Sequence, residues 1–192
     1  MRLIISALVV FFISSSHLFG QGILHKKLLW EQVEVSLPLS IKNKKKIELE
    51  KNTAFVFLSP ECPLCKNYIS VLNTLAKQYP SVNLIGIIPG KSYTVDEIRI
   101  FVNEYDILFD VYLDRNKLLT NTLGAKVTPE TILIDHKGNI RYRGLIDNWQ
   151  AKLGVKRKVI TEHYLENAMK DVSNLNYIFM QTKPIGCLIN DL

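Results

Sequence analysis

The run TAFVFL, residues 53–58, constrains this chain more than any other stretch. A half-exposed strand would alternate apolar and polar side chains, and this run does not, so it reads as a short strand buried on both faces. Such a strand needs a layer above it and another below, and the sequence supplies helices for both. Leu64, Tyr68, Val71, Leu72, Leu75 and Tyr79 fall on one helical stripe, which Pro80 and Ser81 close. Residues 82–88 follow as a second buried strand. Thr94 and Glu97 form a capping-box pattern ahead of a helix with Ile98, Phe101, Val102 and Tyr105 on its buried face. Residues 109–113 are strand-like, and 116–123 are helical with Gly124 as the stop. Strands over 130–134 and 140–142 flank a hairpin turn at 135–139. Thr161 is expected to cap a last helix, with Ile160 and Leu165 as its staple and Ala168 and Met169 buried. The alternation predicts a single α/β domain with a parallel core, helices on both faces, and the late hairpin adding antiparallel strands at one edge.

A chain of 192 residues, 47% hydrophobic and 22% charged, holds one ordinary core and not two. Residues 1–20 read as a secretory signal: Arg2, an apolar run over 3–13, then small residues with cleavage expected between Ser16 and Gly22. The apolar run is about half the roughly 20 residues that a membrane span needs. The expectation is an exported, periplasmic protein with one domain over 23–192 and no stable membrane anchor once the signal is removed. Apolar residues at each odd position from 33 to 41, with Pro38 marking an edge, predict a peripheral hairpin over 33–50. Its turn holds Lys42, Lys44, Lys45 and Lys46, much of the visible clustering behind the net charge of +6. No aromatic residues are interleaved, so the lysines read as a solvated turn and no nucleic-acid partner is expected.

Cys62 and Cys65 stand where the buried strand 53–58 gives way to a helix. The unpaired N–H groups and positive dipole end of the helix favour a thiolate at Cys62, while Cys65 lies one turn inside it. Cys62 is then the nucleophile in disulfide exchange and Cys65 the resolving thiol. Lys66 should lower the Cys62 pKa and Glu61 should raise it, for an expected value of about 6 to 7.5. A zinc site needs four ligands, and no second Cys or His pair exists; His25, His136 and His163 are scattered. A purely structural disulfide here would close a loop of two residues, which restrains the unfolded chain little. No cofactor and no metal is expected.

FLSPECPLCKNY, VTPETILID, KGNIRYRGLIDN and PIGCLIND together resemble the redoxin (AhpC/TSA-like) branch of the thioredoxin-like superfamily. The resemblance implies a thioredoxin-like fold, with a central mixed sheet flanked by helices, the N-terminal hairpin, and an extra strand–helix unit before a cis-proline. It implies an exported thiol-disulfide oxidoreductase that exchanges disulfides with protein substrates and depends on a redox partner. Thr128 and Pro129 are the matching substrate-binding residues. Two alternatives belong to related groups. A thiol peroxidase would use Cys62 with Ser59 at the hydroxyl position, although Phe55 replaces that motif's proline. A copper-binding chaperone would draw on His136, although such proteins have three residues between their cysteines. Tyr142, Arg143, Asp147 and Asn148 match a recurrent stretch without an assignable step, and Trp149 reads as packing or an exposed platform. Cys187, the odd cysteine, follows Gly186 and reads either as an inert buried thiol or, as the resemblance implies, as a third redox cysteine. The expectation is that residues 181–189 fold back towards the dithiol, where Cys187 can pair with Cys62.

Overall fold

A computed structural model describes residues 51–173 and 179–189. The expected signal at 1–20, the start of the domain at 23 and the hairpin at 33–50 lie outside the described residues. In chain order the elements are β1 (Asn52–Phe57), α1 (Pro63–Gln78), β2 (Val82–Pro89), α2 (Val95–Glu104), β3 (Asp110–Asp114), α3 (Leu118–Leu123), β4 (Val127–Thr128), β5 (Glu130–Ile134), β6 (Ile140–Gly144), β7 (Gln150–Lys152), β8 (Val155–Lys156), α4 (Tyr164–Asp171), β9 (Met180–Gln181) and β10 (Cys187–Leu188).

The main sheet runs β3-β2-β1-β5-β6-β9. β1 lies parallel to β2, with Phe55 opposite Ile85, and antiparallel to β5, with Phe55 opposite Ile132. It is buried on both faces, as an unbroken apolar run requires. Ala54, Val56 and Leu58 pack with α1, α2 and α4 on one face, against Leu72, Ile98 and Leu165 among others. Phe55 and Phe57 pack on the opposite face with Leu119 and Leu123 of α3. Each buried Val, Leu, Ile or Phe among them stabilises the fold by about 1.5–3 kcal/mol, so the strand leading to the dithiol is anchored from both sides. Two strand–helix units, β2–α2 and β3–α3, separate α1 from Pro129, which is the extra unit the resemblance implied.

The helix boundaries follow local chemistry. Thr94 and Glu97 form a reciprocal capping box, and Gly124 ends α3 in a left-handed conformation (φ 67°). Thr161 does not cap α4, whose N-cap is His163. The Thr161 N–H donates to Asn148 Oδ1 (3.0 Å) and its hydroxyl accepts from Asn148 Nδ2 (2.7 Å), so both groups are committed across the loop. The helix consequently starts two residues later than a Thr161 cap would set it, with Leu165, Ala168 and Met169 still buried. The late hairpin is also not the edge of the sheet: β9 pairs parallel to β6, Tyr142 opposite Met180. Two short pairs stand outside the main sheet, β7 with β8 and β4 with β10.

Candidate active site

β1 ends at Phe57, and the chain turns through Ser59 to Cys62, the N-cap residue of α1. Pro63 occupies the first turn, where its missing N–H costs nothing, and that turn carries no acidic side chain to compete for the dipole. Cys62 is 2% exposed and Cys65, one turn on, is fully buried. The Cys62 pKa falls to about 4, below the expected 6 to 7.5. The largest cause is hydrogen bonding from the Cys65 thiol. Burial opposes it, the Cys187 thiol supports it, and the N–H groups of Cys65 and Leu64 add to it. Lys66 is not the source: its ammonium sits 5.7 Å from the centre of the Tyr105 ring. Cys65 moves the other way, well above an ordinary thiol, first because it is buried and then because a thiolate at Cys62 disfavours a second. The two sulfurs thus differ: Cys62 favours the thiolate and Cys65 holds its proton.

Opposite Cys62 lies the short strand β4, followed by a cis Thr128–Pro129 peptide. As a thiol, Cys62 donates to the Thr128 carbonyl oxygen (3.2 Å). The tail returns over this edge: β10 pairs antiparallel with β4, Cys187 opposite Thr128 and Leu188 opposite Val127. The Ile189 N–H then donates to the Lys126 carbonyl (3.0 Å). The Cys187 sulfur lies 2.7 Å from that of Cys62, bringing together thiols 125 residues apart. Burial and the neighbouring Cys62 raise the Cys187 pKa to about 11. The cleft between the walls has a volume of about 290 Å³ and is lined by Ser59, Cys62, Tyr93, Thr128, Cys187 and Leu188 among others. That is the bottom of the range for ligand pockets, about 300–1,000 Å³, and suits a side chain or two of an extended peptide.

Glu130, which the sequence did not single out, holds this second wall together with Arg143, which it did. Glu130 is buried, and its Oε2 accepts from the Lys126 and Val127 N–H groups (2.8 and 3.3 Å). Arg143 lies 3.5 Å from Glu130 Oε1 and donates to the carbonyls of Leu123 and Gly124, tying the turn before β4 to the sheet. A usable signal existed: a carboxylate opening the buried strand ETILI must find partners. Tyr142 and Arg143 therefore act as supports. The Tyr142 hydroxyl donates to the Leu145 carbonyl (2.6 Å) and bonds Thr182 (2.8 Å). Asp147 accepts from the Tyr68 hydroxyl of α1 (2.6 Å) and from the Trp149 N–H (2.8 Å). Trp149 packs edge-on against Tyr68 and carries Lys156 over its ring at 4.5 Å, so it is packing and not a bare platform.

The alternative chemistries find little here. The Ser59 hydroxyl is bonded to the Tyr93 hydroxyl (2.9 Å), and no arginine is among the described residues lining the cleft. Phe55 sits in the centre of the sheet, where a proline would break the ladder. His136 lies at the 135–139 turn, where its N–H donates to Asn52 Oδ1 (2.9 Å). That is the far end of β5 from the dithiol. Among the described residues no group of three or more His, Cys, Asp or Glu side chains could hold a metal ion, and no helix is long and apolar enough to cross a membrane.

The AhpC/TSA family model matches residues 34–143, more than half of the chain. The thiol:disulfide interchange protein DsbE of Vibrio cholerae is 37% identical over 97 residues, covering 48% of this chain and 50% of that protein. The thiol-disulfide oxidoreductase ResA of Bacillus thuringiensis is 28% identical over 100 residues, covering 50% and 58%. The chain thus spans about half the length of the curated relatives it matches. Among solved structures, an uncharacterised conserved protein from Geobacillus kaustophilus superposes with a TM-score of 0.69 at 19% identity, over 80% of this chain and 87% of that one. The fold is thioredoxin-like, with Cys62, Cys65 and Cys187 gathered at one end of its sheet.

Proposed function

The chain belongs to the AhpC/TSA family, and from that premise we propose that it is a thiol-disulfide oxidoreductase acting on protein substrates through Cys62 and Cys65. The Cys62 thiolate attacks one sulfur of a substrate disulfide, forming a mixed disulfide and releasing the other substrate sulfur as a thiolate. Cys65 gives up its proton and attacks the Cys62 sulfur. This closes Cys62–Cys65 and frees the substrate's second thiol, so two electrons pass to the substrate. The reverse sequence oxidises a substrate dithiol.

One observation carries this reading: a thiol at a helix N-terminus with its pKa near 4 stands beside a buried thiol of raised pKa. Thr128 and Pro129 are proposed to receive the substrate backbone, which the Thr128 carbonyl beside the Cys62 sulfur supports. The leader-like residues 1–20 support an exported, periplasmic protein with its domain over 23–192, working with a separate dithiol or disulfide partner. The peroxidase reading ranks second because the Ser59 hydroxyl is engaged by Tyr93.

The test sets the reduced protein to reduce a disulfide-bonded protein and, separately, hydrogen peroxide. Exchange with the protein disulfide should be much faster and should vanish in Cys62→Ser. Peroxide consumption that outpaces disulfide exchange and depends on Ser59 would reverse the assignment.

A further inference from the structure

The β4 edge is already occupied. Residues 187–188 pair with it antiparallel, and the Cys187 sulfur rests against Cys62. An incoming peptide that added a strand to β4 in this register would bring its own cysteine to the same place, because strand pairing fixes which residue faces Thr128. The register is selective as well. A Cβ on Gly186 would stand 2.3 Å from the Thr128 carbonyl oxygen and 3.2 Å from the Pro129 nitrogen, so only glycine fits immediately before the cysteine.

The tail is held firmly at one end and lightly at the other. Thr182 is clamped: its N–H donates to the Arg143 carbonyl (3.0 Å), while its hydroxyl accepts from the Leu145 N–H (2.8 Å) and bonds Tyr142. β10 has two residues, Leu188 is 76% exposed, and Ile189 is only partly buried against the core beneath β1 and β5. Thr182 therefore serves as a tether, and residues 183–189 as the part that can lift.

We propose that residues 183–189 are a tethered, substrate-like strand. In this proposal the β4 edge binds extended peptides of the form Gly-Cys-apolar, Cys187 is its resident occupant, and the oxidised chain holds its disulfide as Cys62–Cys65 or Cys62–Cys187. The inference rests on the reading of Cys62 as the attacking thiol. The two disulfides interconvert with no outside oxidant. A Cys187 thiolate attacks Cys62 of the Cys62–Cys65 bond, Cys65 leaves as a thiolate and takes a proton, and the count of one disulfide and one thiol is unchanged. Already 2.7 Å apart, the two sulfurs need close only by roughly 0.7 Å to reach the ~2.05 Å of a bond. With Cys62–Cys187 formed, the strand is latched over β4 and a protein client cannot enter until Cys65 or an external dithiol attacks Cys62 and releases Cys187.

The full-length chain is equilibrated with glutathione disulfide, acid-quenched, alkylated and mapped by mass spectrometry. Wild type should yield both Cys62–Cys65 and Cys62–Cys187, and Cys65→Ser should be a monomer crosslinked through Cys187. Gly186→Ala, which drives the tail off Thr128, should lose the Cys62–Cys187 form. It should also raise the ratio of peptide-disulfide to glutathione-disulfide exchange rates by about tenfold, as for a site that is otherwise nine-tenths covered. The peptide used carries Gly-Cys-Leu. The proposal is overturned if Cys65→Ser holds glutathione on Cys62 or links two chains while Cys187 stays free, or if Gly186→Ala leaves the ratio unchanged. Should Cys62 exchange with neither disulfide, the oxidoreductase reading fails by itself. The seat of the tail is then read from the Ile189 amide, which exchanges slowly in wild type and quickly in Gly186→Ala if the strand is docked, and quickly in both if it is not.

Discussion

One wall of the cleft is β1 running into α1, a six-residue strand and a sixteen-residue helix packed into the larger core. The other is β4 with β10, two strands of two residues each, held by side chains from elsewhere. Both walls meet at the Cys62 sulfur. The first places it and lowers its pKa through the Cys65 thiol and the N–H groups of the first helical turn, which cannot be changed without disturbing the core. The second presents backbone to it through contacts that can be exchanged for those of another chain. A nucleophile needs a fixed seat, and a site for extended peptides needs an edge that can open. The division of construction matches the proposed division of labour.

The comparison breaks most completely at the sulfur itself. Cys62→Ser should bring disulfide exchange to the uncatalysed level, measured as turnover of a protein disulfide, with the fold intact by circular dichroism. Next is the rigid wall: Leu72→Ala, at a fully buried position of α1, should cost about 2–5 kcal/mol in denaturant unfolding. Leu188→Ala on the second wall should stay within about 0.5 kcal/mol, as for other exposed positions. A cost at Leu188 as large as that at Leu72 would mean that both walls are core.

An effect smaller than that at Leu72 is expected at the support between the walls. Glu130→Gln keeps the shape of the side chain but weakens charge-assisted bonds to the Lys126 and Val127 N–H groups. It should cost about 1.5–3 kcal/mol and slow protein-disulfide exchange more than exchange with a small disulfide. Equal slowing of both would show that Glu130 acts on stability alone.

The finest probe is pH. The Cys62 pKa lies below its unfolded value, so thiolate formation stabilises the reduced fold. That contribution is complete above the ordinary thiol value of 9.0 and is lost as pH falls through about 4. Reduced-state stability should therefore rise between these limits, and alkylation of Cys62 should titrate near pH 4. Cys65→Ala should raise the midpoint more than Cys187→Ala, because the Cys65 thiol is the stronger donor to the thiolate. The opposite order, measured by thiolate absorbance, would make the tail the principal stabiliser and the second wall the less dispensable one.

Much of the first wall was legible in the chain. TAFVFL admits a doubly buried strand, the stripe from Leu64 to Leu75 admits an amphipathic helix, and Cys62 at their junction is an N-cap by position alone. Each of these depends on residues within a few turns, and periodicity reports which way such side chains point. The cap of α4 was misread for the same reason: Thr161 has the chemistry of a cap, but its partner is Asn148 in another loop. The second wall had no comparable signature. Two-residue strands are too short for a period, and Glu130 with Arg143 become a brace only once β5 and β6 pair. Gly186 could be recognised as a point of close approach, but not as the residue against Thr128. The sequence by itself determined a central strand delivering a dithiol to a helix N-terminus, because those relations are local. That a third thiol, 125 residues away, faces the first was implied by the family resemblance alone and decided by the tertiary structure, because a hydrophobic pattern specifies burial and leaves the partner to packing.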